Sequence, residues 1–187
     1  MTSYRRLRAV AATFLVVLAF AGASVAAESP VPKASPWDSM RFLLGSWTGA
    51  GQGQPGSSTI EREYRFALRD HFIEVRNTST YRPQEKNPKG EVHEDHGFIS
   101  WDRARHRFVL RQFHVEGFVN QYVADSLGSS ADSIVFRSEA IENIPAGYRA
   151  RETYRILGPD EFIERFELAE PNREFSVYSE GRFKRKK

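Results

Sequence analysis

Five histidines, His71, His93, His96, His106 and His114, are the side chains best suited to metal or acid–base chemistry. His93 and His96 are three residues apart. On a strand, where side chains alternate with period two, they face opposite sides and do not chelate one ion without a bulge. His106 lies in a charged turn. His114 shares a strand face with Phe108, Leu110 and Gln112 and reaches any cavity on that side. Zinc-type ligand spacing is absent, and there is no cysteine. No Gly-x-Ser-x-Gly elbow presents a serine nucleophile. Carboxylates such as Glu164 and Glu167, or Glu152 and Glu161, have no mutual placement in a sequence. Nothing marks hydrolase chemistry, and the chain reads as a binding protein rather than an enzyme.

Several strand-like faces mix arginine and tyrosine with apolar residues: Arg62 with Ile60, Tyr64 and Phe66; Arg111 with Phe113; Arg149 with Arg151, Thr153 and Arg155; Glu164 with Phe162 and Phe166. On an outer face this is routine. On an inner face it makes a wet, amphipathic cavity, in which an arginine can pair a ligand carboxylate bidentately. Apolar weight turns Ile60, Arg62, Tyr64 and Phe66 inward, together with Phe108, Leu110, Gln112 and His114. Arg62, Tyr64 and His114 are then the polar handles for a small ligand.

The stretch Gly45-Ser46-Trp47-Thr48-Gly49-Ala50-Gly51 opens the β-like region. On a strand, Trp47, Gly49 and Gly51 share a face. Trp47 fills volume there, while the glycines permit a sharp bend or the close approach of another backbone or a ligand. Two readings stand: a plug at a barrel end, or a cofactor cradle. The Gly-rich continuation Gly51–Gly56 is no phosphate loop, because it lacks the Lys-Ser/Thr ending and no helical pattern follows.

This motif resembles the nitrobindin family. The likeness is sharp over Gly45–Gly51, extends to His93-Glu94-Asp95-His96-Gly97-Phe98-Ile99, and elsewhere is a strand rhythm spanning roughly Asp38 to Arg185. The resemblance implies a haem-binding β-barrel related in shape to fatty-acid-binding proteins and lipocalins. It also implies ferric haem, reaction with nitrogen oxides and peroxynitrite isomerisation. The family places its axial histidine on the last strand. This chain has no histidine after His114, and Tyr178 or Glu180 stands nearest that place. Tyrosine is a known haem ligand type, although its ordinary pKa of about 10 must then be lowered by the ferric charge. Apolar weight puts Phe175, Val177 and Phe183 inward and Tyr178 outward, whereas the matched family position puts Tyr178 inward. The expected ligand-binding set is Gly45, Trp47, Gly49, Gly51, Arg62, Tyr64 and His114, with Tyr178 a metal ligand only where haem is bound. The cofactor is left unknown, and haem b is expected not to be held stoichiometrically.

The elements that must position these residues are strands. Thr59–Phe66 alternates apolar and charged residues, and comparable stretches follow from His71, Val92, Arg107, Phe118, Ser133, Tyr148, Glu161 and Glu174. Short turns rich in Gly, Pro, Asn and Asp separate them. No sustained helical period follows Leu44. The expected fold is all-β: a roughly ten-stranded antiparallel up-and-down barrel of the calycin type, wide enough to enclose a ligand. A short helical lead-in places Trp37, Met40, Arg41 and Leu44 on one face.

Ahead of it, Arg5, Arg6 and Arg8, the apolar run Ala9–Ala23 and the small residues Ser24–Ala27 form a secretory signal peptide. Residues 28–37 read as a proline-containing linker, 38–185 as the barrel, and 186–187 as the end of a basic tail. The three leader arginines account for the whole net charge of +3, so the remainder is neutral. No basic face on the body suits a nucleic acid. The partner expected is a small molecule, with no integral membrane span after leader cleavage and with export to the periplasm or beyond. An exported chain without disulfides relies on its core, which about 150 folded residues can supply.

Overall fold

In Ser58–Ala67, Ser58, Ile60, Arg62 and Tyr64 are buried while Thr59, Glu61, Glu63 and Arg65 are exposed. That period-two pattern, with each strand's inner face covered by the others, organises the whole structure. The computed structural model describes residues 35–125, 130 and 132–187. The signal-peptide reading, residues 28–34 of the linker and most of the turn before Ser133 lie outside the described residues. Ten strands follow one another: β1 (Gly45–Gly53), β2 (Ser58–Ala67), β3 (Phe72–Tyr81), β4 (Glu91–Asp102), β5 (Arg107–His114), β6 (Val119–Ala124), β7 (Ser133–Glu142), β8 (Arg149–Gly158), β9 (Glu161–Ala169) and β10 (Ser176–Arg185). Each pairs antiparallel with its sequence neighbour, and β10 returns to β1, with Trp47 opposite Arg185 and Gly53 opposite Ser179. The up-and-down barrel expected from the sequence is therefore closed, which leaves no free sheet edge. Among the described residues no helix is long and apolar enough to cross a membrane.

The short helical lead-in is present as two 3-10 turns, Pro36–Ser39 and Arg41–Leu43. Ser35 caps the first turn by accepting a hydrogen bond from the Trp37 backbone N–H, and Asp38 answers to the Ser35 N–H. The tighter winding buries Met40 and Leu43, whereas Arg41 is exposed and pairs with Asp38. Trp37 packs on Phe66 and Phe108. These turns close one end of the barrel.

Beneath them lies an aromatic plug. Trp47 is fully buried, meets Phe162 edge-on at 4.7 Å, and donates from Nε1 to the Leu43 carbonyl at 2.7 Å. Phe162 stacks on Phe183 at 4.7 Å. Gly49 makes room for this layer: a Cβ there would stand 3.0 Å from the Phe183 ring. Arg185 ties the last strand to the lead-in by donating to the carbonyls of Phe42 and Leu44, with its guanidinium 4.2 Å from the Trp47 ring.

Candidate functional site

The other end of the barrel holds a cavity of about 460 Å³, within the range that accepts drug-sized molecules. Its apolar wall includes Ile60, Phe118, Ile141, Ile144, Phe166 and Leu168. Its mouth is marked by the exposed Gln52, Glu91 and Glu116. Of the residues singled out from the sequence, Gly51, Arg62, His114 and Tyr178 line this cavity. Gly45, Trp47, Gly49 and Tyr64 do not. Gly45 sits at the closed end beside Arg185. Trp47 and Gly49 belong to the aromatic layer, and Tyr64 is buried behind Arg62, whose Nη1 donates to its hydroxyl at 3.3 Å.

The inward faces foreseen on β2 and β5 are inward: Ile60, Arg62, Tyr64, Phe108, Leu110 and Gln112 are all buried. The arginine's role differs from the expectation of a free handle. Arg62 is 7% exposed and engaged through its Nε and Nη1. It forms an ion pair with Glu164, donates from Nε to Asn77 Oδ1 at 2.9 Å, and lies 4.6 Å over the Phe183 ring. Its charge is paired inside the protein, and two of its three nitrogens are occupied there.

Around it lies a buried polar floor with more acid than base. Glu164 is paired with the Arg62 guanidinium, and Asp95 and Glu152 lie within reach of its charge. Asn77 Nδ2 donates to Asp95 Oδ2 at 2.8 Å, and the Tyr154 hydroxyl donates to Glu152 Oε2 at 2.8 Å. Burial, reinforced by the Glu164 charge, pushes the Glu152 carboxyl up to about 8. Burial also raises Asp95, against the opposing pull of Arg62. Two deeply buried acceptors on the cavity wall, Gln112 Oε1 and Asn120 Oδ1, have no hydrogen-bond partner, a costly condition away from water.

The orientation of Tyr178 is settled by a β-bulge. Val177 pairs with Glu167 and Ser179 with Phe166, so one residue is extra. Phe183 is consequently inward and Tyr178 lines the cavity as well. Val177, expected inward on apolar weight, is 47% exposed. Phe175, expected inward too, lies before the strand with the Arg149 and Arg151 guanidinium groups over its ring. The bulge needs Gly53, where a Cβ would fall 2.2 Å from the Tyr178 carbonyl oxygen. Simple alternation along Phe175–Phe183 hides this extra residue.

Sequence reasoning also missed a cluster. The β4–β5 register sets Asp95 opposite His114, and His93 lies two residues away on the same face. The ligand-capable atoms of His93, Asp95 and His114 lie within 4.8 Å of one another. Burial, and then the neighbouring His93, push His114 down to about 4. His96 points outward and meets Glu74 at 2.7 Å, as expected of a residue of opposite parity to His93. The signal was present: counting back from the turn at 103–106 pairs Trp101 with Phe108 and, two by two, Asp95 with His114.

The haem implied by the sequence resemblance meets a poor donor set. Among the described residues the iron-ligating side chains on the cavity wall are His93, His114 and Tyr178. The two histidines point at each other, with His93 Nε2 and His114 Nδ1 3.4 Å apart, beside a carboxylate. They suit a small ion rather than one axial position of a porphyrin. Burial, then the charges of Glu91 and Glu116, raises the Tyr178 pKa, which disfavours the tyrosinate a haem iron requires. These residues do not fit haem.

The family described as "THAP4-like, heme-binding beta-barrel domain" matches residues 37–185. Among solved structures, Rv2717c from M. tuberculosis is similar, with 18% identity and a TM-score of 0.63, over 82% of this chain and 99% of that one. A de novo designed fluorescence-activating β-barrel shows 15% identity and a TM-score of 0.43 over 80% and 98% of the two chains. The designed barrel EF1p2_mFAP2b bound to DFHBI shows 10% identity and a TM-score of 0.44 over 81% and 100%. No curated protein matches the sequence.

Proposed function

The chain belongs to the THAP4-like haem-binding β-barrel family, and from that premise we propose that it is an exported carrier whose barrel holds a small amphipathic organic molecule. The carrying observation is the cavity floor: Gln112 Oε1 is buried without a partner, burial pushes the Glu152 carboxyl up to about 8, and Arg62 is engaged by Glu164. Such a floor accepts hydrogen bonds and repels anions. The favoured ligand has an apolar body, seated against Ile60, Phe166 and Leu168, and a polar end that donates, such as an amine, hydroxyl or amide. A carboxylate end would meet Asp95, Glu152 and Glu164, with the Arg62 charge already paired to Glu164. Export rests on the leader-like residues 1–27, so that the mature chain begins at Glu28.

Matched fluorescent alkyl probes test the ligand class. A dansyl alkylamine is expected to saturate at one equivalent, at least about tenfold more tightly than the dansyl fatty acid of equal length, a difference of about 1.4 kcal/mol. Tighter binding of the acid, or no saturable binding of either, would sink the proposal.

A second reading, a tyrosinate-ligated haem protein reacting with nitrogen oxides, is favoured by one observation: the bulge that brings Tyr178 to the cavity wall.

A further inference from the structure

We propose that His93, Asp95 and His114 form a mononuclear site for a first-row divalent transition-metal ion at the cavity mouth. The site is built by the β4–β5 hairpin alone and is independent of which organic molecule fills the barrel. His93 Nε2 stands 3.4 Å from His114 Nδ1 and 3.7 Å from Asp95 Oδ2. Metal–nitrogen and metal–oxygen bonds of about 2.0–2.2 Å in a tetrahedral arrangement place donors about 3.3–3.5 Å apart. Two edges of the site are thus nearly at bonding geometry. Two imidazoles with one carboxylate match the chemistry of Fe²⁺, Co²⁺ and Zn²⁺, whereas Mg²⁺ and Ca²⁺ prefer all-oxygen sites.

The surroundings orient each ligand as metal sites require. Glu116 Oε1 lies 2.7 Å from His93 Nδ1. Nδ1–H donates to it, which leaves the Nε2 lone pair aimed at the centre. Asn77 Nδ2 holds Asp95 at 2.8 Å. Phe118 stacks on the His114 ring at 4.0 Å and sets its plane.

The buried Asn120 amide, whose Oδ1 has no partner, stands beside the outer nitrogen of His114. Asn120 Nδ2 faces His114 Nε2 at 3.2 Å. Nδ2 also donates to the Tyr122 hydroxyl at 2.9 Å. With the amide turned over, Oδ1 would accept from that hydroxyl and from a protonated His114 Nε2, Nδ2 would take the partnerless place, and His114 would present its Nδ1 lone pair to the ion. Three protein ligands leave further coordination positions free for water or for a donor atom of the cavity's ligand.

Titration of the chelator-stripped full-length protein with Co²⁺, followed by its visible d–d absorption, tests the site. One equivalent is expected to saturate a nitrogen-rich spectrum, and Zn²⁺ is expected to displace it. His93→Ala and His114→Ala should each weaken Zn²⁺ binding by at least about 100-fold, and Glu116→Gln by about 10–100-fold. His96→Ala, on the outer face, should leave the affinity unchanged. Should a histidine variant fail to fold by far-UV circular dichroism, the wild-type complex still decides: Co²⁺ must shift the ring protons of His93 and His114 in the NMR spectrum. Absence of a saturable spectrum, binding that survives both histidine substitutions, or loss of binding in His96→Ala would overturn the proposal.

Discussion

Trp47→Ala is expected to cost about 3–5 kcal/mol of folding stability. The side chain is fully buried between the lead-in and the barrel interior, against Phe162 and beneath the Arg185 guanidinium. Its removal opens a void between elements already tied by Arg185 to the carbonyls of Phe42 and Leu44, which limits collapse into the space. The Leu43 carbonyl also loses its indole donor. Urea unfolding followed by far-UV circular dichroism measures the loss, with an unchanged m-value marking a native-state effect. A loss below about 1 kcal/mol would place the ring outside the core.

Glu152 is expected to make stability fall as pH rises from about 4.5 to about 8, opposed below about 6.5 by His114, which burial holds down to about 4. In the folded protein burial, and then the Glu164 charge, raise this carboxyl from 4.5 to about 8. Between those values the folded state binds one more proton than the unfolded state, so the slope of stability against pH is negative. The contribution is intact below the unfolded value and lost by the folded one. At about 1.4 kcal/mol per pH unit across that window, the effect is on the order of several kcal/mol. Glu152→Gln keeps the hydrogen-bonding shape without the ionisation and is expected to make the slope between pH 6.5 and 8 less negative, as urea midpoints at pH 5, 6.5 and 8 would register. Identical slopes in wild type and variant would show that Glu152 is ionised throughout.

Much of the fold was legible because strand alternation needs only local information. The ten strands, the antiparallel order and the inward faces of β2 and β5 follow from period two and turn residues, as in Ser58–Ala67. What escaped depends on register or on partners. Tyr178 and Phe183 face inward together only because a residue is inserted between Val177 and Ser179, and no composition rule marks that insertion. Arg62 was recognised as inward, but its consumption by Glu164, 102 residues away, is a tertiary fact. His93 and His114 were judged separately, and the hairpin register that joins them was not counted. The short helical lead-in was legible, but its 3-10 winding was not, because its apolar residues satisfy an α-helical spacing almost equally well.

Whether this barrel serves an organic ligand or a haem is decided most directly by titrating the purified apo protein with hemin and following the Soret band. The donor set around the cavity gives the expected outcome: a weak, non-saturating rise with no sharp Soret shift at one equivalent. Saturation at one equivalent, abolished by Tyr178→Phe, would contradict it and make the protein a tyrosinate-ligated haem barrel.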